Sequence, residues 1–193
     1  MRSKLLVLIG ILFLSCEEIE YNPLDSVNPD YIPPETTITS DIDGSTLDTS
    51  AVTITFEGND EIAEYSYDLD STGYSSWIDS SYVTLDYLDE GLHTFSVKGR
   101  YASMEEDETP ANISFSVNAV TGPALIFYPR RAIVSQDSIV TLQILAEEVE
   151  NLMLATINIV YDNTLIDIES ATQGDMFTGS GESVFIDEIS TSS

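Results

Sequence analysis

Cys16 is the only cysteine in the 193-residue chain, and His93 is the only histidine. A lone thiol cannot close an intramolecular disulfide, so burial has to supply the stability. A lone imidazole has no second histidine with which to share a metal. His93 also alternates with Phe95 and Val97, which makes it a hydrogen-bonded residue at the core edge. The stretch "DLDSTGYSSWID" sets Asp68, Asp70, Thr72, Gly73 and Asp79 at positions 1, 3, 5, 6 and 12 of a calcium-binding loop. Such a loop needs flanking helices, whereas the flanks here alternate as strands. Its Asp, Ser and Gly therefore read as turn chemistry in a hairpin connection. Neither Gly-x-Ser-x-Gly nor His-Glu-x-x-His occurs. With 34 acidic residues, carboxylates close in sequence say nothing about glycoside hydrolysis. No catalytic residue, metal ligand or cofactor is expected, and the chain reads as a binding protein, not an enzyme.

Charge narrows the partners. The 34 Asp and Glu face 6 Lys and Arg, a formal net charge of -28. Such a surface repels phosphate backbones and anionic lipid heads, so no nucleic acid partner is expected. The acidity reads first as solubility, most of all where salt screens self-repulsion, with cation binding as the alternative.

The elements that must carry these residues begin with a short greasy run. Arg2 and Lys4 precede Leu5–Leu14, which is apolar apart from Gly10. As a helix it would reach roughly 15 Å, about half a bilayer core, which suits a signal-peptide core and not a membrane span. Phe13, Leu14, Ser15 and Cys16 resemble the bacterial lipobox, with Phe13 where Leu is usual. The resemblance implies removal of residues 1–15 and lipidation of Cys16, which would hold the protein on a membrane. Residues 16–35 are acidic, carry four prolines and lack a sustained period. They read as a tether of about 25 Å root-mean-square reach. Their acidic start resembles the surface-export signals of Bacteroidetes-like lipoproteins, which implies an outer-membrane or cell-surface location.

From Thr36 onward short segments alternate. Val52, Ile54 and Phe56 face one way, as do Tyr65, Tyr67 and Leu69, then Phe95 and Val97, then Ile113, Phe115 and Val117. With "TTITS", "YSSWI" and "SYVTLDYL" this makes seven half-buried antiparallel strands over residues 36–118. An Ig-like or fibronectin-type sandwich follows. The predicted core residues are Phe56, Tyr67, Trp77, Phe95 and Phe115. "PPETTITS", "AVTITFEGND", "EYSYDLDSTGYSSW" and "LDEGLHTFSVKGRY" resemble bacterial extracellular Ig-like domains, over roughly residues 33–118. Such domains act mostly as spacers or binding modules, and no catalytic residue transfers with the resemblance.

Residues 119–123 read as a linker to a second unit, residues 124–193. There Val140, Leu142 and Ile144 alternate with Thr141 and Gln143. Ala155, Ile157, Ile159 and Tyr161 alternate with Thr156, Asn158 and Val160, and "LIDIES" makes a further strand. The unit resembles the first half of a cohesin domain. Tyr161, Asp162 and Leu165 match its Tyr-Asp-Pro-x-x-Leu phrase with Asn163 in place of proline, and Gly174 and Asp175 match its Gly-Asp turn. Gln136 and Asp137 stand where a turn glycine is usual. The fold class expected is all-β, an Ig-like sandwich followed by a partial cohesin-like jelly roll that continues beyond Ser193. The resemblance implies docking of a dockerin-like protein module on the face bearing Thr156, Asn158 and Val160. The polar pair with which cohesins grip dockerin is replaced by Leu154 and Thr156, so specificity should differ. The alternative partner is a polysaccharide, which exposed aromatic platforms would favour.

Overall fold

The computed structural model describes Asn28 and residues 30–174. Residues 1–15, Cys16, most of the tether and Asp175 lie outside the described residues. The described residues are all-β. In chain order the strands are β1 (Thr36–Ile38), β2 (Thr46–Leu47), β3 (Val52–Gly58), β4 (Ile62–Leu69), β5 (Tyr82–Leu85), β6 (Gly91–Tyr101), β7 (Ala111–Val117), β8 (Ala124–Tyr128) and β9 (Gln143–Glu147). The chain divides into two compact units, Met1–Glu150 and Asn151–Ser193.

In the first unit, a three-stranded sheet β1-β3-β5 faces a four-stranded sheet β2-β7-β6-β4. This strand order is an Ig-like sandwich. Alternation sets the inner faces. Along β6, His93, Phe95, Val97, Gly99 and Tyr101 are buried, while Thr94, Ser96, Lys98 and Arg100 point the other way. Ile54 and Phe56 from β3, Leu85 from β5, Tyr65 from β4, and Phe115 and Val117 from β7 complete the core. Phe56 packs on Tyr65 with ring centroids 4.8 Å apart, and Tyr67 stacks on Phe95 at 5.7 Å. Gly99 sits where the sheets approach, and its N–H donates to Thr36 Oγ1 at 2.7 Å. A side chain there would meet Ile62 and that same hydroxyl.

Six of the seven expected strands form. "YSSWI" does not become a strand, and makes a single bridge, Ile78 to Tyr65, along the free edge of β4. The seventh strand is β2, two residues pairing in parallel with β7. Two residues carry no period, so sequence pattern could not reveal it. Trp77 departs from the predicted core. It is half-buried, with a guanidinium over its ring, because it sits beyond the edge of β4 and not on an inner face.

The ends of the sandwich are fastened by named bonds. Tyr101 Oη donates to the Ile32 carbonyl at 2.9 Å and accepts from Asn59 Nδ2, which also donates to the Pro33 carbonyl. At the other end, Glu90 accepts from Ala119 N–H, and its carboxylate pairs with Arg130 at 2.6 Å. Asp89 Oδ1 accepts from Arg130 N–H at 2.6 Å. The β8–β9 hairpin is antiparallel and belongs to this first unit. The connection between its strands places Asp137 at φ 62°, the left-handed position where a glycine is usual, and Asp tolerates that conformation.

Beyond β9 the expected jelly-roll strands are not formed among the described residues. Residues 139–142 are also outside any strand. In the second unit Ala155, Ile157 and Ile159 are exposed, as are Thr156, Asn158 and Val160, so no inner and outer face is distinguished. Leu165, expected beneath the next strand, is 80% exposed. Alternation makes a strand only where a neighbour supplies its backbone partners, and residues 151–174 pair with no strand among the described residues. What forms instead is a turn, in which Leu165 and Ile166 N–H donate to the Asp162 carbonyl, and Thr164 N–H and Oγ1 donate to Asp162 Oδ1. Those bonds hold the Asp162 carboxyl below its usual range.

Candidate functional site

The four-stranded sheet turns a second face outward, and its polar residues come from the same alternation that fills the core. Register sets Glu64 of β4 opposite Arg100 of β6, Ser66 opposite Lys98, and Asp68 opposite Ser96. Lys98 and Arg100 are the only two cations in residues 36–118. Residues 74–78 then run along the free edge of β4. Ser75 N–H donates to the Tyr67 carbonyl at 2.7 Å, Ser66 Oγ donates to the Ser75 carbonyl at 2.7 Å, and Ile78 exchanges backbone bonds with Tyr65. These bonds blunt an open sheet edge and bring two aromatic rings to the outer face.

Lys98 Nζ lies 4.6 Å from the Tyr74 ring centroid and 5.6 Å from that of Trp77, and Arg100 lies 4.2 Å from Trp77. At these distances the ring quadrupoles attract the cations. Carboxylates hold the same cations from the other side. Lys98 pairs with Glu106 at 2.5 Å, and Arg100 donates Nε–H and an Nη–H to Glu64 Oε2. Glu106 is placed by a short return of the chain after β6, in which Asp107 N–H donates to the Gly99 carbonyl. The result is an open cleft of about 520 Å³ lined by Tyr74, Lys98, Glu105, Glu106, Asp107, Glu108 and Pro110. Burial raises the Tyr74 phenol above its usual range; Lys98 opposes this, and Asp68 and Asp107 add to it. Tyr74 nevertheless keeps 42% of its surface exposed.

The residues singled out from sequence lie elsewhere. His93 is a hydrogen-bonded core-edge residue, with Nδ1 2.7 Å from Asp70 Oδ2 and Nε2 2.9 Å from the Asp89 carbonyl. Asp70 and Asp68, two positions of the calcium-loop spacing, are engaged in turn bonds. Asp70 also accepts from Thr94 N–H, and Asp68 accepts from Gly73 N–H. No group of three His, Cys, Asp or Glu side chains converges as a metal site among the described residues. Thr156, Asn158 and Val160 are exposed in the second unit, and Val160 is 96% so. Cys16 lies outside the described residues. Sequence reasoning missed Tyr74, Lys98, Arg100, Glu106 and Asp107. The available signal was a pair of cations, Lys98 and Arg100, at alternating positions in an otherwise acidic domain.

No known protein family matches the chain, and no curated protein matches it. Among solved structures, it is similar to the fibronectin(III)-like modules of CbhA from Clostridium thermocellum. That match has 16% identity and a TM-score of 0.34, over 43% of this chain and 95% of that one. It is also similar to the PKD domain of human KIAA0319, with 18% identity and a TM-score of 0.35, over 52% of this chain and 96% of that one. The extracellular domain of BT3049 from B. thetaiotaomicron gives 21% identity and a TM-score of 0.36, over 57% of this chain and 14% of that longer one. The sandwich itself is assigned by its strand order and register.

Proposed function

We propose that the chain is an exported, membrane-tethered binding protein whose Ig-like sandwich captures polysaccharide at the cleft beside Tyr74 and Trp77. One observation carries the reading: two aromatic rings laid on an outer sheet face beside a row of carboxylates. A sugar ring offers apolar C–H faces to an aromatic and hydroxyl donors to a carboxylate, and sites of this composition orient ligands with few polar groups. Export and tethering are supported by the apolar run Leu5–Leu14 and by Cys16 directly after it. No catalytic step is assigned.

The test is retardation of the purified chain through gels holding neutral, acidic or amino polysaccharides. Tyr74→Ala and Trp77→Ala should each weaken retention about tenfold, equal to about 1.4 kcal/mol. Free migration of the unaltered chain through every gel would remove the glycan reading.

A second reading is docking of a dockerin-like module on residues 154–161, favoured by the exposure of Thr156, Asn158 and Val160. Here Thr156→Arg and Asn158→Arg should abolish capture of a dockerin-bearing protein. Capture that survives both changes would place its surface elsewhere.

A further inference from the structure

We infer that His93 is a pH-operated latch on strand β8: the charged ring fixes the Asp89–Glu90 segment that grips both ends of β8, and the neutral ring lets that segment go. Two residues make the grip. Glu90 accepts from the Ala119 N–H, ahead of β8, and pairs with the Arg130 guanidinium beyond it. Asp89 Oδ1 accepts from the Arg130 N–H. The backbone carbonyl of the same Asp89 lies 2.9 Å from His93 Nε2.

The ring is only 6% exposed, which leaves little access for water to replace a lost partner. The charged groups that face it are Asp70, just after β4, and Asp89, ahead of β6, while β7 presents the uncharged Phe115 ring. A charged imidazole donates at both nitrogens, and a neutral one keeps a single proton. The Asp70 carboxylate is a stronger acceptor than the Asp89 carbonyl, so that proton stays on Nδ1. Nε2 then turns a lone pair on the carbonyl oxygen, and an attraction becomes a repulsion. The carbonyl has to move, and the Asp89 carboxylate and Glu90 move with it. Burial opposes the charge on His93, and the hydrogen bonds and charges of Asp89 and Asp70 overcome it, which raises the pKa above 6.5. Release therefore comes as pH rises through that raised value. His93 is the only histidine, so no other imidazole titrates with it.

The test is NMR on the purified full-length chain at a series of pH values spanning the titration of His93. Ring nitrogen shifts give the tautomer, and amide exchange divided by the intrinsic rate at each pH gives protection. Above the midpoint the neutral ring should carry its proton on Nδ1. Protection of the Ala119 and Arg130 N–H groups should fall about fivefold, in keeping with the worth of one hydrogen bond. The Gly99 N–H, bonded to Thr36 near the far end of β6, should keep its protection. Asp70→Asn is the decisive variant. Its amide oxygen can still accept from the Thr94 N–H, as Asp70 does, and its N–H can donate to Nδ1. The proton of the neutral ring is then left on Nε2 for the Asp89 carbonyl, and Arg130 protection should persist through the titration. His93→Gln should make that protection independent of pH. Equal losses at Gly99 and Arg130 would mean loosening of the whole sandwich and would overturn the inference. So would a neutral ring protonated at Nε2 in the unaltered chain, or an undiminished loss of Arg130 protection in Asp70→Asn.

Discussion

His93 has an oxygen acceptor at each ring nitrogen, the Asp70 carboxylate and the Asp89 carbonyl. Only the doubly protonated ring donates to both at once. Burial works against that charge. The Asp89 hydrogen bond, the Asp70 hydrogen bond and the two nearby negative charges outweigh it, and the net effect raises the His93 pKa above 6.5. A folded-state value above the unfolded one makes this contribution complete below about pH 6.5. It is lost as pH rises through the raised value. The melting temperature should therefore fall over that upward interval, and His93→Gln should flatten this part of the profile. Thermal melts at a series of pH values check it; parallel profiles for the two proteins would show that the pair contributes nothing. The same residue explains why the calcium-like spacing is structural, since Asp70 is spent on His93 and Thr94.

Individual elements owe their place to partners far away in sequence. The segment before β1 has no pattern of its own, yet it is held because Tyr101, at the end of β6, donates to the Ile32 carbonyl and accepts from Asn59. Tyr101→Phe keeps the ring and removes the hydroxyl, leaving two groups without their partner. It should cost about 1–3 kcal/mol, read by chemical denaturation, and should speed proteolysis near Ile32. Unchanged stability and cleavage would mean that the segment is held by packing alone. Residues 154–161 illustrate the converse. Their alternation is as regular as that of β3, yet β3 lies between β1 and β5 while residues 154–161 pair with no strand among the described residues.

For the whole molecule, the proposed membrane tether would have to hold a strongly acidic chain. Anionic headgroups repel it, and no described helix is long and apolar enough to cross a bilayer. A lipid on Cys16 would overcome the repulsion, particularly with a second attached chain, since one acyl chain binds only marginally. Cys16→Ser should then release the protein from membranes or leave it as an uncleaved precursor. Fractionation and the mobility of the mature band read the outcome, and an unaltered membrane fraction would rule out the lipid anchor.

By itself the sequence determined the all-β class, most of the sandwich strands and most of its core. Phe56, Phe95 and Phe115 sit in period-two runs, and burial of one face is a local consequence of that period. It also determined that His93 is a structural residue, because its strand neighbours are apolar. Only the tertiary structure decided where Trp77 goes, since an edge position depends on which strand ends the sheet. The cleft likewise could not be read from spacing. Tyr74, Lys98 and Asp107 come from three separate stretches of chain, and the segment along the edge of β4, strand β6 and the return of the chain after it together bring a ring, an ammonium and a buried carboxylate into one place.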